Sequence, residues 1–229
     1  MNRFYIKNSI PEEGIFILEN EKIVHQLSRV LKIKKGEKIV FFNESGFDFI
    51  IRVDKLLGRF VSGKIVEKIK NERDSDVEVH LYQSLIKKNK FEWVLEKGTE
   101  LGVKFFHPMI SERSIKTAFN MERARRIVKE ATEQSGQDKF PEIYETIKIT
   151  TALESARTGT SLLFDPGGEI PVPFQKNIGV IHVFIGPEGG FTERELAIAQ
   201  KCGVRIFSLG SRILRAETAA IVCVARYLT

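Results

Sequence analysis

Residues 181–229 read IHVFIGPEGGFTERELAIAQKCGVRIFSLGSRILRAETAAIVCVARYLT. The short apolar run Ile181 to Ile185 has the length of a buried strand and stops at Gly186-Pro187-Glu188-Gly189-Gly190. Thr192 and Glu195 then form a T-x-x-E capping box that opens a helix. A second apolar run, Val204 to Leu209, ends at Gly210. After Ser211 to Leu214 comes a final helix rich in Ala and Val. Two strand–loop–helix units therefore stand in tandem, each with a glycine-bearing loop after its strand. In open α/β sheets ligands bind at the carboxyl ends of strands, where such loops gather.

The same alternation extends upstream. Val77 to Leu85 reads as a strand, and Phe91, Val94, Leu95 and Leu101 share a helical stripe. Val103 to Ile110 is a strand again, and Met121 to Ser135 a charged helix with Ile127, Val128 and Ala131 facing inward. Leu153 marks a short helix, and Ser161 to Phe164 a strand ending at Asp165-Pro166-Gly167-Gly168. This pattern predicts an α/β domain with a parallel sheet covered by helices.

The amino-terminal part reads differently. Arg3 to Ile6, Ile15 to Leu18, Lys38 to Phe42, Phe47 to Leu57 and Phe60 to Ile69 are short strands joined by tight turns. Asn20 caps one helix, with Ile23, Val24, Leu27, Val30 and Leu31 at helical spacing. Five strands and one helix in this length fit a small β-barrel. The polar stretch Asn71 to Asp76 is the candidate linker. Two domains are expected, 1–70 and 71–229.

The net charge of +6 is uneven. Residues 1–70 hold 14 Lys and Arg against 9 Asp and Glu, a net of +5, and the remainder is close to neutral. A basic module suggests a polyanion partner. The start, MNRFYIKNSIPEEG, lacks a signal-peptide core, and the apolar run Ala219 to Ala225 is too short to cross a bilayer. A soluble, cytoplasmic protein with no membrane partner is expected. Cys202 and Cys223 have no metal-ligand spacing and read as small core residues, so no metal is expected. His80, His107 and His182 lie on or beside strand patterns without ligand spacing and read as structural.

The dinucleotide fingerprint G-x-G-x-x-G and the P-loop are both absent, so phosphate cradling is not indicated. A loop with several glycines instead lets backbone groups approach a flat ligand closely.

Motifs across residues 97–219 carry a resemblance. GPEGGFTERE at 186–195 and LGSRILRAETA at 209–219 resemble the two signature loops of the RsmE family, small-subunit ribosomal RNA uridine-N3 methyltransferases of the SPOUT superfamily. KGTELGV at 97–103, SERS with Lys116, and EATEQSG at 130–136 resemble further family blocks in the same order. The resemblance implies a SPOUT domain with a carboxyl-terminal trefoil knot, preceded by a PUA-like barrel. It implies S-adenosylmethionine as cofactor, held by Phe164, Asp165, Ile185, Gly186, Pro187, Glu188, Gly189, Gly190, Leu209, Gly210, Ile213 and Leu214. It also implies a homodimer, formed through the knot helices.

The expected substrate is a uridine in 16S ribosomal RNA, on the assembled small ribosomal subunit. Arg3, Arg29, Lys32, Lys35, Arg113 and Lys116 are the candidate RNA contacts. Arg215 is the candidate for chemistry, since N3 of uracil must lose its proton and a fixed guanidinium stabilises the resulting charge. The bland alternative is a surface ion pair with Glu217. Glu188 and Glu217 are candidate proton acceptors, while Glu193 and Glu195 read as helix-start charges. Two other readings stand beside this one: a SPOUT enzyme acting on another RNA such as tRNA, or a non-catalytic ribosome-assembly factor that binds RNA.

Overall fold

The computed structural model describes residues 1–170 and 179–228. The chain divides into two compact units, Met1–Asp74 with Thr132–Lys139, and Ser75–Ala131 with Phe140–Thr229. Residues 132–139, which the linear reading groups with the second domain, thus belong to the first unit.

In the first unit β1 (Arg3–Tyr5), β2 (Ile15–Glu19), β3 (Lys38–Phe42), β4 (Phe47–Leu57) and β5 (Phe60–Lys70) form a sheet of order β1-β3-β4-β5-β2. One face closes over Phe16, Phe41, Ile39, Ile51 and Leu27, all at or near zero exposure. The helix expected after Asn20 is shorter than its apolar spacing suggests. Asn20 Oδ1 does accept from the Ile23 amide and caps α1 (Glu21–His25). A π-turn follows over Gln26–Val30, closed by the Leu31 amide on the Gln26 carbonyl. Its wider winding takes Val30 off the buried stripe, and Val30 is exposed.

Arg3 requires a correction. Its side chain, expected on an RNA face, is only 6% exposed and pairs with Asp48 at 2.8 Å. It also donates to the Thr132 carbonyl and lies 3.4 Å from the centre of the Phe42 ring. Arg73 reaches the other Asp48 oxygen at 3.2 Å. Arg3 is therefore an internal charge partner, because desolvation at that depth demands a carboxylate beside it.

In the second unit β6 (Glu78–Ser84), β7 (Phe105–Ile110), β8 (Glu142–Ile143), β10 (Thr160–Glu169), β11 (Val180–Ile185) and β12 (Arg205–Phe207) form a sheet of order β12-β10-β11-β6-β7-β8. The short β9 (Ile147–Lys148) also pairs with β7, and every pairing in this sheet is parallel. Central strands are buried on both faces, which is why they read as unbroken apolar runs. Val79, Leu81, Leu162, Ile181 and Val183 face a core shared with α2 (Lys88–Leu101), α3 (Met121–Ser135) and α6 (Ala216–Leu228). Tyr82, Leu163 and Phe184 face α4 (Ile149–Ser155) and α5 (Glu193–Lys201).

Two local expectations change. The strand at Ser161–Phe164 does not end at Asp165: β10 continues to Glu169, with Phe164 and Glu169 both registered against Phe207 and the residues between them bulged. Gly168 permits this, since a Cβ there would stand 2.6 Å from the Phe207 carbonyl carbon. Cys202 is not a core residue. It caps the carboxyl end of α5 and is exposed, while Cys223 is buried in α6.

The histidines, far apart in sequence, meet through strand register. His80 pairs across the sheet with His182 and Phe105, and Tyr82 with His107 and Phe184. His80 Nδ1 lies 3.0 Å from His107 Nε2, and His80 Nε2 lies 2.9 Å from Glu78. Tyr82 and Tyr144 stack on opposite sides of the arrangement, each against His107. His182 Nε2 donates to the Thr158 carbonyl. Among the described residues no group of three or more His, Cys, Asp or Glu is disposed to hold a metal ion.

Burial pushes the His107 imidazole down to about 3, and charge on His80 or His182 would oppose its protonation further. Burial lowers His182 in the same direction. An unfolded histidine titrates near 6.5, so below that pH the unfolded chain binds more protons than the folded one. Stability should be full above about pH 6.5 and fall progressively as the pH drops toward 3. Urea midpoints at successive pH values check this. His107→Phe, which keeps a stacking ring and removes the titration, should flatten the acid limb.

Candidate active site

Strand order explains why three segments converge. β10 lies between β12 and β11, so its bulge stands beside the loops that leave the carboxyl ends of those two strands. They enclose a cavity of about 550 Å3. Phe164, Asp165 and Pro166 come from the β10 bulge, Ile185 ends β11 and Gly186 to Phe191 follow it, Ser208, Leu209 and Arg212 to Arg215 follow β12, and Ala216 begins α6. Ala219 of α6 closes one side. Lys90, from the start of α2, and Arg113, beyond β7, complete the wall.

Each loop is pinned by polar contacts of its own. Asp165 Oδ1 accepts from the Gly167 amide and holds the bulge. The Gly190 amide donates to the Pro187 carbonyl at 2.9 Å. Gly190 has φ +69°, a left-handed conformation that disfavours any residue with a Cβ. The capping box on α5 is present, and its acid does more than cap. Glu195 is 1% exposed. Its Oε2 accepts from the Thr192 amide and hydroxyl, and its Oε1 accepts from the Glu112 amide at 2.8 Å. Arg113 donates to the carbonyls of Gly189, at 2.8 Å, and Phe191, at 3.2 Å. The segment after β7 thus clamps the glycine loop from outside.

The electrostatics separate the candidate acids and bases. Glu217 pairs with Lys90 at 3.0 Å. Burial alone would raise its carboxyl. Hydrogen bonds from its own backbone and from Lys90, with the charges of Lys90 and Arg215, more than offset that and hold it below the usual carboxylate range. A carboxylate so held is a weak proton acceptor. Arg215 is exposed, has no ion pair among the described residues, and accepts at its carbonyl the Ala219 amide that opens α6. The ion pair on Glu217 is made by Lys90, not by Arg215 as the bland alternative had it, and the Arg215 guanidinium stands at the cavity edge. Glu188 lines the cavity and is exposed.

The RNA methyltransferase domain family matches residues 73–228. A ribosomal RNA small subunit methyltransferase E of Bacillus subtilis is 30% identical over 245 residues, spanning 96% of this chain and 93% of its own. The chain belongs to the ribosomal RNA small subunit methyltransferase E family. A member from Neisseria gonorrhoeae, solved bound to S-adenosyl methionine, superposes with a TM-score of 0.88 at 30% identity, covering 98% of this chain and 95% of that one. A putative methyltransferase from Legionella pneumophila, in complex with the same cofactor, superposes with a TM-score of 0.87 at 26% identity, with the same coverage.

Of the twelve positions the family resemblance assigns to cofactor, the cavity gathers all but Gly210, which lies outside the lining with φ +118°. It also gathers residues that sequence did not single out: Lys90, Pro166, Phe191, Ser208, Arg212, Ala216 and Ala219. Lys90 follows a different strand, β6, and nothing in its own sequence neighbourhood marks it. None of the candidate RNA contacts other than Arg113 is in the lining of this cavity. Lys116 is exposed on the loop after β7, and Arg29, Lys32 and Lys35 are exposed in the first unit. No helix among the described residues is long and apolar enough to cross a membrane.

Proposed function

We propose that the chain transfers the methyl group of S-adenosylmethionine to N3 of a uridine in 16S ribosomal RNA, on the assembled small subunit, in the cytoplasm. The observation that carries this reading is the cavity where the β10 bulge and the loops after β11 and β12 converge, with Arg215, which has no ion pair among the described residues, on its edge. The residues present fit the cofactor. Phe164, Ile185, Leu209 and Leu214 offer apolar walls, and Gly186, Gly189 and Gly190 bring backbone without side chains to the cavity, where a flat ligand can approach it closely. S-adenosylmethionine supplies an electrophilic methyl carbon on a sulfonium.

The chain's own residues handle the acceptor. Arg215 faces the uracil oxygens and stabilises negative charge as the N3 proton leaves. Lys90 and Glu217 hold each other and fix the start of α6, so Arg215 is presented from a rigid helix end. Glu188 is the remaining carboxylate candidate for accepting the proton. Residues 1–70 act as a PUA-like RNA-binding domain through Arg29, Lys32 and Lys35, and residues 71–229 as a SPOUT domain whose carboxyl-terminal chain forms a trefoil knot. Mapping modified nucleosides in 16S ribosomal RNA with and without this protein tests the reading. An N3-methyluridine that persists without the protein would remove it.

Dimerisation completes the proposal. α6 is apolar on most sides, and Val222 on it and Trp93 on α2 are 41% and 38% exposed. A two-fold interface through these helices would cover them. Sedimentation at micromolar concentration should give a dimer, and only monomer would count against it.

A further inference from the structure

We propose that a second cavity, at the carboxyl end of β6, receives a base of the RNA strand neighbouring the target nucleotide. The proposal rests on the RNA-methylation reading and deepens it. The cavity is about 400 Å3. Its floor is apolar, formed by Leu85, Phe91, Leu95 and Phe119. The Phe91 and Phe119 rings stand 5.2 Å apart at 56°, which makes an angled aromatic wall. A nucleobase is apolar on its faces and polar on its edges, and aromatic side chains are the usual platform for an unstacked base.

The rim supplies donors for such an edge. Asn120 Oδ1 accepts from the Arg123 amide, so its amide nitrogen is the atom left over, and it has no partner among the described residues. Lys116 is exposed and has no ion pair among the described residues. The carboxylate in the lining, Glu92, is already engaged by Arg123 through two contacts of 2.6 and 2.8 Å. The edge is therefore donor-rich and cationic, which suits a base presenting carbonyl oxygens on a phosphate backbone.

Position ties this cavity to the first. Lys90 lines the cofactor cavity and the next residue, Phe91, lines this one. Arg113 lines the first and Lys116, one turn of loop further on, lines the second. The two cavities thus flank the start of α2, and a strand whose target base enters the first can lay an adjacent base in the second.

Two measurements on the full chain test this. Ribosomal RNA partly substituted with 4-thiouridine is irradiated with the protein, and cross-linked peptides are located by mass spectrometry. Cross-links should fall in 85–92 and 115–120, and should vanish in Ala118→Trp, which fills the cavity from an exposed position. Steady-state methylation of small subunits lacking the modification should show KM for the subunit raised about ten-fold or more in Ala118→Trp, the loss expected for one stacked base, and raised with a weaker salt dependence in Lys116→Ala, which removes a backbone cation. Melting temperature and cofactor Kd should not change. RNA that cross-links elsewhere but never to these peptides overturns the proposal, as does an unchanged KM in Ala118→Trp. If the wild type methylates no RNA at all, the functional reading falls, while the cross-links still decide whether the cavity takes a base.

Discussion

Arg215→Ala should lower the single-turnover rate of methyl transfer by about 10²–10³-fold, the usual loss for one preorganised electrostatic partner. The expectation follows from the partner that Arg215 lacks. Its natural neighbour Glu217 is engaged by Lys90 at 3.0 Å. Arg215 therefore brings to the cavity edge a guanidinium with no ion pair among the described residues, available to the uracil oxygens as the proton leaves. Arg215→Lys should rescue only in part, because an ammonium cannot span two oxygens as a planar guanidinium does. Cofactor affinity should change little in either variant, since the cavity's apolar walls and glycine loop are untouched. Raising the pH should help the Ala variant more than the wild type, because more substrate is then already deprotonated. A purely structural role predicts the reverse: a lower melting temperature, weaker cofactor binding and near-normal turnover. Single-turnover rates across pH, with calorimetry on the same samples, separate the two.

Asp48→Ala should destabilise the first unit by about 3–5 kcal/mol, the cost of stranding a buried charge. Arg3 beside it has a side chain only 6% exposed, with two of its nitrogens on Asp48 Oδ1 at 2.8 and 3.0 Å. Removing the carboxylate leaves that guanidinium buried with a single carbonyl and a ring face. Arg73, whose side chain is 58% exposed, can turn to water and suffers less. The double variant Arg3→Met with Asp48→Leu should recover much of the loss, since an apolar pair of similar volume carries no desolvation penalty. Urea unfolding of the single and double variants measures this. A loss below about 1 kcal/mol in Asp48→Ala, the size of an exposed pair, would place the pair in solvent instead.

Much of the fold was open to sequence reading because its causes are local. Buried parallel strands announce themselves as apolar runs, as at Ile181–Ile185, and the Thr192–Glu195 capping box is written in four consecutive residues. The α3 boundaries, Met121–Ser135, followed from periodicity alone. The cavity loops after β11 and β12 were legible for the same reason: glycine and a strand end mark them without reference to anything distant.

What sequence could not supply was whatever depends on which strands are neighbours. Three histidines separated by up to 102 positions become contacts only through the register of β11, β6 and β7. Lys90 reaches Glu217 across 127 residues, and that pairing occupies the carboxylate that stands two residues from Arg215. Arg3 looked like one surface cation among several, and only the packed sheet buries it against Asp48. The β10 bulge, too, needed a tertiary partner, because the Phe207 backbone must approach where Gly168 leaves room. Local chemistry therefore determined the elements and the loops of this protein. The pairing of its charges, and hence which groups remain free to act, was decided by long-range packing, where desolvation makes each buried charge seek a partner that sequence distance conceals.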